Sequence, residues 1–149
     1  MAGVPDVDRR LLAGLLVAGL LPWVVVLYPG GWYATFSWGW VDPAPLHVVS
    51  LPTYYFEYAR GPLPRSLLAW PLAAVIYLGA LASLAVADRR VTTGLLVLAG
   101  VDVFWFGAGL SGQRGITAVP VGAVVLFVAA LWTWWRATVG ADAGANAGD

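Results

Sequence analysis

Four apolar runs constrain what this chain can become. They are LLAGLLVAGLLPWVVVLY (11–28), SLLAWPLAAVIYLGALASLAV (66–86), TTGLLVLAGVDVFWFGAGL (92–110) and AVPVGAVVLFVAALWTWW (118–135). Each has roughly the 17–25 residues that cross a bilayer as a helix. The first, second and fourth carry no charge, and the third carries only Asp102. A chain of 149 residues has too little left over to surround four such segments with protein. Its composition, 60% hydrophobic and 11% charged, also departs from the about 45–50% and about 25% of soluble domains. The expected fold is therefore all-α: an integral membrane four-helix bundle forming one domain over residues 1–140. A small acidic tail, 141–149, reads as disordered.

The first run has a competing reading, because DRRLLAGLL resembles the start of a secretory leader. The run is longer than a usual leader core of about 7–15 residues and has no A-x-A cleavage site, which favours a retained helix. Orientation follows from the arginines of the short loops. Arg9, Arg10, Arg89, Arg90 and Arg136 fall on one side, against Arg60, Arg65 and Arg114 on the other. This bias predicts a multi-pass cell-membrane protein with both termini in the cytoplasm.

The connections are unequal. ADRRV (87–91) and SGQRGIT (111–117) are tight, whereas the first, 29–65, is long for a bare loop. Its many rings predict an ordered segment folded back on the outer membrane face, and PTYYFEYAR within it predicts a short interfacial helix. Pro52 suits a first helical turn, and Gly61-Pro62 ends it. No internal repeat is visible.

The stretch YARGPLPRSLLAWPLAAVIYLGALAS, with DRRVTTGLLVLAGV and ITAVPVG, resembles a family of small uncharacterised haloarchaeal integral membrane proteins with four predicted spans. The likeness covers about residues 9–136, and RG-x-x-P-R-x-x-x-A-W-P is its most distinctive piece. The resemblance implies a fold and a setting. It implies no catalytic residue.

Asp102 needs an explanation, since Asp at the centre of a spanning helix costs roughly 2.5–3.5 kcal/mol on insertion scales. Folding the second and third runs about residue 89 brings it level with residues 76 and 77. Tyr77 and Trp105 are then its candidate donors, forming an intramembrane polar cluster. A third partner is the carbonyl that Pro22 frees one turn earlier in the first run. With no cation at its depth, a buried Asp102 is expected to be uncharged, and Asp102→Asn to be mild for folding. It fixes helix register, meets a partner protein, or moves a proton.

In the outer loop, Trp38, Trp40, Tyr54, Tyr55, Glu57, Arg60 and Arg65 form a candidate interaction surface, with Glu57 and Arg60 spaced for a local helical pair. Its rings suit a quinone, a lipid tail or a partner. Asp42, His47 and Glu57 match no metal-site spacing, so no metal or cofactor is expected. The chain has no Cys, no G-x-S-x-G and no phosphate-binding glycine loop. A formal net charge of zero gives no nucleic-acid footprint. The expected function is a non-enzymatic accessory or interaction subunit, whose partners are the lipid bilayer and either other membrane proteins or a second copy. The rivals are a small homo-oligomeric transporter or channel with Asp102 in its pathway, and a lipid or quinone enzyme built on residues 32–65.

Overall fold

The computed structural model describes residues 8–62, 65–86 and 88–145. Its framework is three long helices: α3 (Arg65–Val86), α4 (Arg89–Ser111) and α5 (Val121–Ala145). At 1.5 Å per residue, α3 and α4 are about 33 and 35 Å long. These two and the Val121–Val139 part of α5 are long and apolar enough to cross a membrane. The helix α5 covers residues 141–145 of the segment read as a tail; 146–149 lie outside the described residues.

α3 and α4 form an antiparallel hairpin. At one end Ser83 and Thr92 share a buried hydroxyl hydrogen bond of 2.6 Å. Towards the other end Trp70 stacks on Phe106, with centroids 5.8 Å apart and planes 8° from parallel. Small residues allow this approach: Gly109 faces Ser66, and Gly107 faces Pro120 before α5. The outward surfaces are as apolar as the inner ones. On α3 Leu72, Val75 and Leu78 are exposed; on α4, Val101, Phe104 and Trp105; on α5, Val124, Val128 and Leu131.

The expected all-α four-helix bundle is corrected by the first run and by the loop after it. The run 11–28 is a helix α1 of only 12 residues (Arg9–Leu20), followed by a strand β1 (Val24–Tyr28). The physical reason is local. Pro22 forces Leu21 out of helical geometry, and Leu21 is extended with ψ 153°. The β-branched Val24, Val25 and Val26 then suit a strand. Tyr28-Pro29-Gly30-Gly31 turns the chain into β2 (Gly31–Thr35). β3 (Gly39–Pro43) and β4 (Leu46–Ser50) follow, and β5 (Thr117–Val119) lies just before α5, across the start of what was read as the fourth span. These make one five-stranded antiparallel sheet in the order β4-β3-β2-β1-β5. The chain is thus mixed α and β, not all-α.

The end of α1 shows how the two parts join. Pro22 has no N–H to give the Ala18 carbonyl, and the Trp23 indole N–H takes that place at 3.3 Å. The Gly19 carbonyl is likewise met by the Ser37 hydroxyl, at 2.8 Å. Trp23 is fully buried, edge-on to Tyr77 with centroids 5.5 Å apart. Its backbone lies against Gly122 of α5, where an added Cβ would come within 2.5 Å of the Trp23 Cα.

The two ends of the molecule differ. At one, Asp8 caps α1 through Arg10 N–H (3.1 Å) and lies 3.8 Å from both Arg89 and Arg136. At the other stands the sheet. Strand register puts Val24, Val26, Tyr33, Thr35 and Trp40 on the face turned to the helices. Leu27, Trp32, Val48 and Val119 lie on the opposite, exposed face.

The expected interfacial helix is present as a short turn. Ser50 caps Leu51–Thr53 (α2), with Pro52 in its first turn, and a π-helical turn, Tyr54–Tyr58, continues it. Gly61, at φ +125°, follows.

Candidate functional site

Between the inner face of the sheet and the sheet-side ends of α3 and α4 lies a pocket of about 510 Å³. That is within the range of small-molecule sites, roughly 300–1,000 Å³. The sheet contributes Tyr28, Tyr33, Thr35, Trp40 and Asp42. Alternation along the strands produces this set: Thr35 pairs with Trp40 in the β2–β3 ladder, and residues two apart share a face. The helices contribute Leu67, Trp70, Phe106 and Leu110, and Tyr54 adds a further ring.

The backbone breaks nearby fix these rings. Pro71, inside α3, cannot donate to the Leu67 carbonyl one turn earlier. The Tyr55 hydroxyl donates to that carbonyl instead, which holds the 51–58 segment against α3. The Trp70 indole N–H donates to the Phe36 carbonyl at 2.8 Å, joining α3 to the chain between β2 and β3. The rings meet at angles: Tyr33 and Trp40 edge-on at 5.7 Å, Tyr54 and Trp70 tilted at 5.7 Å.

Asp42 is the one charged side chain in the lining. Its Oδ1 accepts the Ala44 N–H at 3.0 Å, and its Oδ2 accepts the Tyr28 hydroxyl at 3.4 Å. The phenols stay uncharged near neutral pH. Burial pushes Tyr33 and Tyr55 above the ordinary tyrosine value of 10.0, neighbouring tyrosines adding to the effect. Tyr28 is raised too, by desolvation first and then by the Asp42 carboxylate it faces. The Trp40 Nε1 is buried without a hydrogen-bond partner. The Thr35 hydroxyl donates to the Val24 carbonyl at 3.3 Å.

The residues singled out in the sequence separate into groups. Trp40 and Tyr54 line the pocket, and Tyr55 braces it. Trp38 lies apart, 43% exposed and stacked on Phe36. Glu57, Arg60 and Arg65 are exposed. The expected Glu57–Arg60 side-chain pair does not form: Arg60 Nε donates to the Glu57 backbone carbonyl at 3.3 Å. His47 is exposed, its ring 5.6 Å from Trp40. Among the described residues no cluster of side chains suits a metal ion.

The polar cluster expected around Asp102 is not joined by hydrogen bonds. The hairpin register set by Trp70–Phe106 and Ser83–Thr92 puts Asp102 level with Ala73 and Ala74, about a turn from Tyr77. Tyr77 donates instead to the Leu15 carbonyl at 2.5 Å. The carbonyl freed by Pro22 is occupied by Trp23. Trp105 is 64% exposed on the outer face of α4. Asp102 sits on the flank of that face, partly buried, between exposed Val101 and buried Val103.

Sequence reasoning missed Tyr28, Tyr33, Trp70 and Phe106 as pocket residues, and considered Asp42 only as a metal ligand. A signal for the first two was present: VVVLY and GWYAT are β-rich runs separated by Pro29-Gly30, a hairpin pattern. Nothing local marks Trp70 or Phe106, because their role depends on strands that lie outside their own helices.

A family model described as a domain of unknown function (DUF8050) matches residues 4–143. The chain belongs to the DUF8050 family. The match spans the helices, the sheet and the pocket together, so the DUF8050 region includes every wall of the site. No curated protein matches the chain, and no solved structure matches it.

Proposed function

We propose that this DUF8050 protein is a non-enzymatic, multi-pass membrane protein whose outer sheet holds a small, largely apolar molecule against the ends of α3 and α4. The carrying observation is the 510 Å³ pocket walled by rings from sheet, turn and helices. Binding rather than turnover fits its polar groups. The Thr35 hydroxyl is already donated to a backbone carbonyl, Asp42 has no second acid beside it in the lining, and His47, its partner across the β3–β4 ladder, is exposed and outside that lining. The bilayer setting rests on three helices of spanning length with apolar outer surfaces. Arg89 and Arg136 gather at the end away from the sheet, and Arg9, Arg10 and Arg90 stand beside them in the chain. The positive-inside bias then makes that end, and both termini, cytoplasmic.

The test is mass spectrometry of the intact protein released from mild detergent. A small molecule bound in equal ratio to the chain, and lost in Ile116→Trp, which fills the pocket from its loop side, supports the reading. A bare chain sinks it. A second reading, an accessory subunit, draws on the exposed apolar face formed by Leu27, Trp32 and Val48. It expects a second protein, not a small molecule, in the same spectrum. Transport through Asp102 gains no support, because that residue lies on the flank of α4 and outside the pocket lining.

A further inference from the structure

We propose that the pocket takes an organic cation, an alkylated ammonium head on a short arm. This rests on the reading of the pocket as a ligand site and names the ligand's chemistry. Two features of the lining point the same way.

The first is the arrangement of rings. Tyr28, Tyr33, Trp40, Tyr54 and Trp70 come from β1, β2, β3, the 54–58 turn and α3, and converge on one space. A pocket meant only for a flat apolar molecule needs a slot of parallel faces. Here Tyr28 and Tyr33 are tilted by 44°, Tyr33 and Trp40 by 63°, and Tyr54 and Trp70 by 60°. Rings set at such angles form a box. Their negative faces attract a cation, which is how aromatic cages hold alkylated ammonium groups, at about 0.5–2 kcal/mol per contact depending on desolvation.

The second is charge. The chain has eight basic residues, yet none lines the pocket, and among the described residues the only charged group that does is the Asp42 carboxylate. The strand holds it on the same sheet face as Trp40, and the Ala44 N–H fixes one of its oxygens. The carboxylate is partly exposed, with His47 opposite it across the β3–β4 ladder, and it gives the ring-lined space an anionic edge that a cationic ligand would meet.

The volume of about 510 Å³ leaves room beyond a bare trimethylammonium head for a short arm.

The experiment is calorimetric titration of the full chain in detergent with two probes of nearly equal shape. Choline carries the positive charge; 3,3-dimethylbutan-1-ol replaces its nitrogen with carbon and is neutral. Potassium chloride controls for salt. Choline is expected to bind at least tenfold more tightly than the neutral isostere. Asp42→Asn, which keeps the acceptor for the Ala44 N–H, is expected to remove most of that preference and leave the isostere unchanged. Should Asp42→Asn fail to fold, Tyr54→Leu removes one wall without touching the carboxylate, and a fall in choline affinity is again expected. Equal binding of the two probes overturns the cation proposal and leaves the ligand-site reading standing. Binding of neither overturns the proposal too; only a bare chain in the mass spectrum would also remove the ligand site.

Discussion

The α3–α4 hairpin and the sheet cap both bury aromatic rings, but in different company. Within the hairpin, Trp70 and Phe106 lie parallel, 8° apart, and Ala73, Ala80 and Ala99 fill the core further along it. Its polar groups are few and satisfied locally, Ser83 by Thr92 and by the Ala80 carbonyl. In the cap, rings stand at angles, a carboxylate lies among them and an indole N–H has no partner. The hairpin is built for packing; the cap leaves a space with unmatched chemistry around it. The difference sets apart the two aspartates in apolar surroundings: Asp42, on β3, borders that space, whereas Asp102, on α4, lies outside its lining.

Removing the joint between the two regions is the strongest way to break this comparison. Trp23 is fully buried, donates to Ala18 and packs edge-on against Tyr77. Trp23→Ala is expected to cost about 3–5 kcal/mol, the usual loss for a large buried ring. Thermal melting in detergent measures it, and circular dichroism should show strand signal lost before helix signal. A single, fully cooperative melt would mean that cap and helices are not separable regions. Gly122→Ala presses on the same joint from the other side. Its new Cβ would meet the Trp23 backbone at 2.5 Å, which cannot swing away as a side-chain tip would. Overpacking of this kind costs about 1–3 kcal/mol. A melting temperature equal to the parent's would show that the joint has slack.

The hairpin was legible because its signal is redundant: two charge-free or nearly charge-free runs, a five-residue connection and small residues at the crossing points. Spans at 66–86 and 92–110 fall within a few residues of α3 and α4. The first run was misread because its length and hydrophobicity, LLAGLLVAGLLPWVVVLY, satisfy a spanning helix as well as they satisfy a helix and a strand. The deciding features, Pro22 and three consecutive valines, sit inside the run, where a count of apolar residues ignores them. β5 was hidden for another reason. Thr117–Val119 is three residues long and is a strand because β1 lies beside it, with Val26 opposite Ala118. No window around it carries that information. The pocket inherits both failures: a site made of alternate residues on a sheet cannot be read before the sheet is.

Within the hairpin the expected effects shrink. Thr92 and Ser83 share their hydrogen bond at a buried contact between α3 and α4. Thr92→Val keeps the shape and removes the bond, while the Ser83 hydroxyl keeps the Ala80 carbonyl at 2.7 Å. Interhelical hydrogen bonds in membrane proteins average about 0.6 kcal/mol, so the melting temperature should fall only slightly. Choline binding should not change, because this contact is at the opposite end of α3 from Trp70. A change in binding would show that the hairpin and the cap are coupled through α3.

Asp102→Asn should do least of all. The side chain lies on the outer flank of α4, partly buried and outside the pocket lining, and the neutral amide occupies nearly the same volume. Substitutions at such positions usually stay within about 0.5 kcal/mol. The melting temperature and the choline titration should match the parent, with the mass of the detergent-extracted species as the third readout. A smaller particle for Asp102→Asn at unchanged melting temperature would place the carboxylate in a contact between chains. That result would make Asp102 the group that specifies assembly.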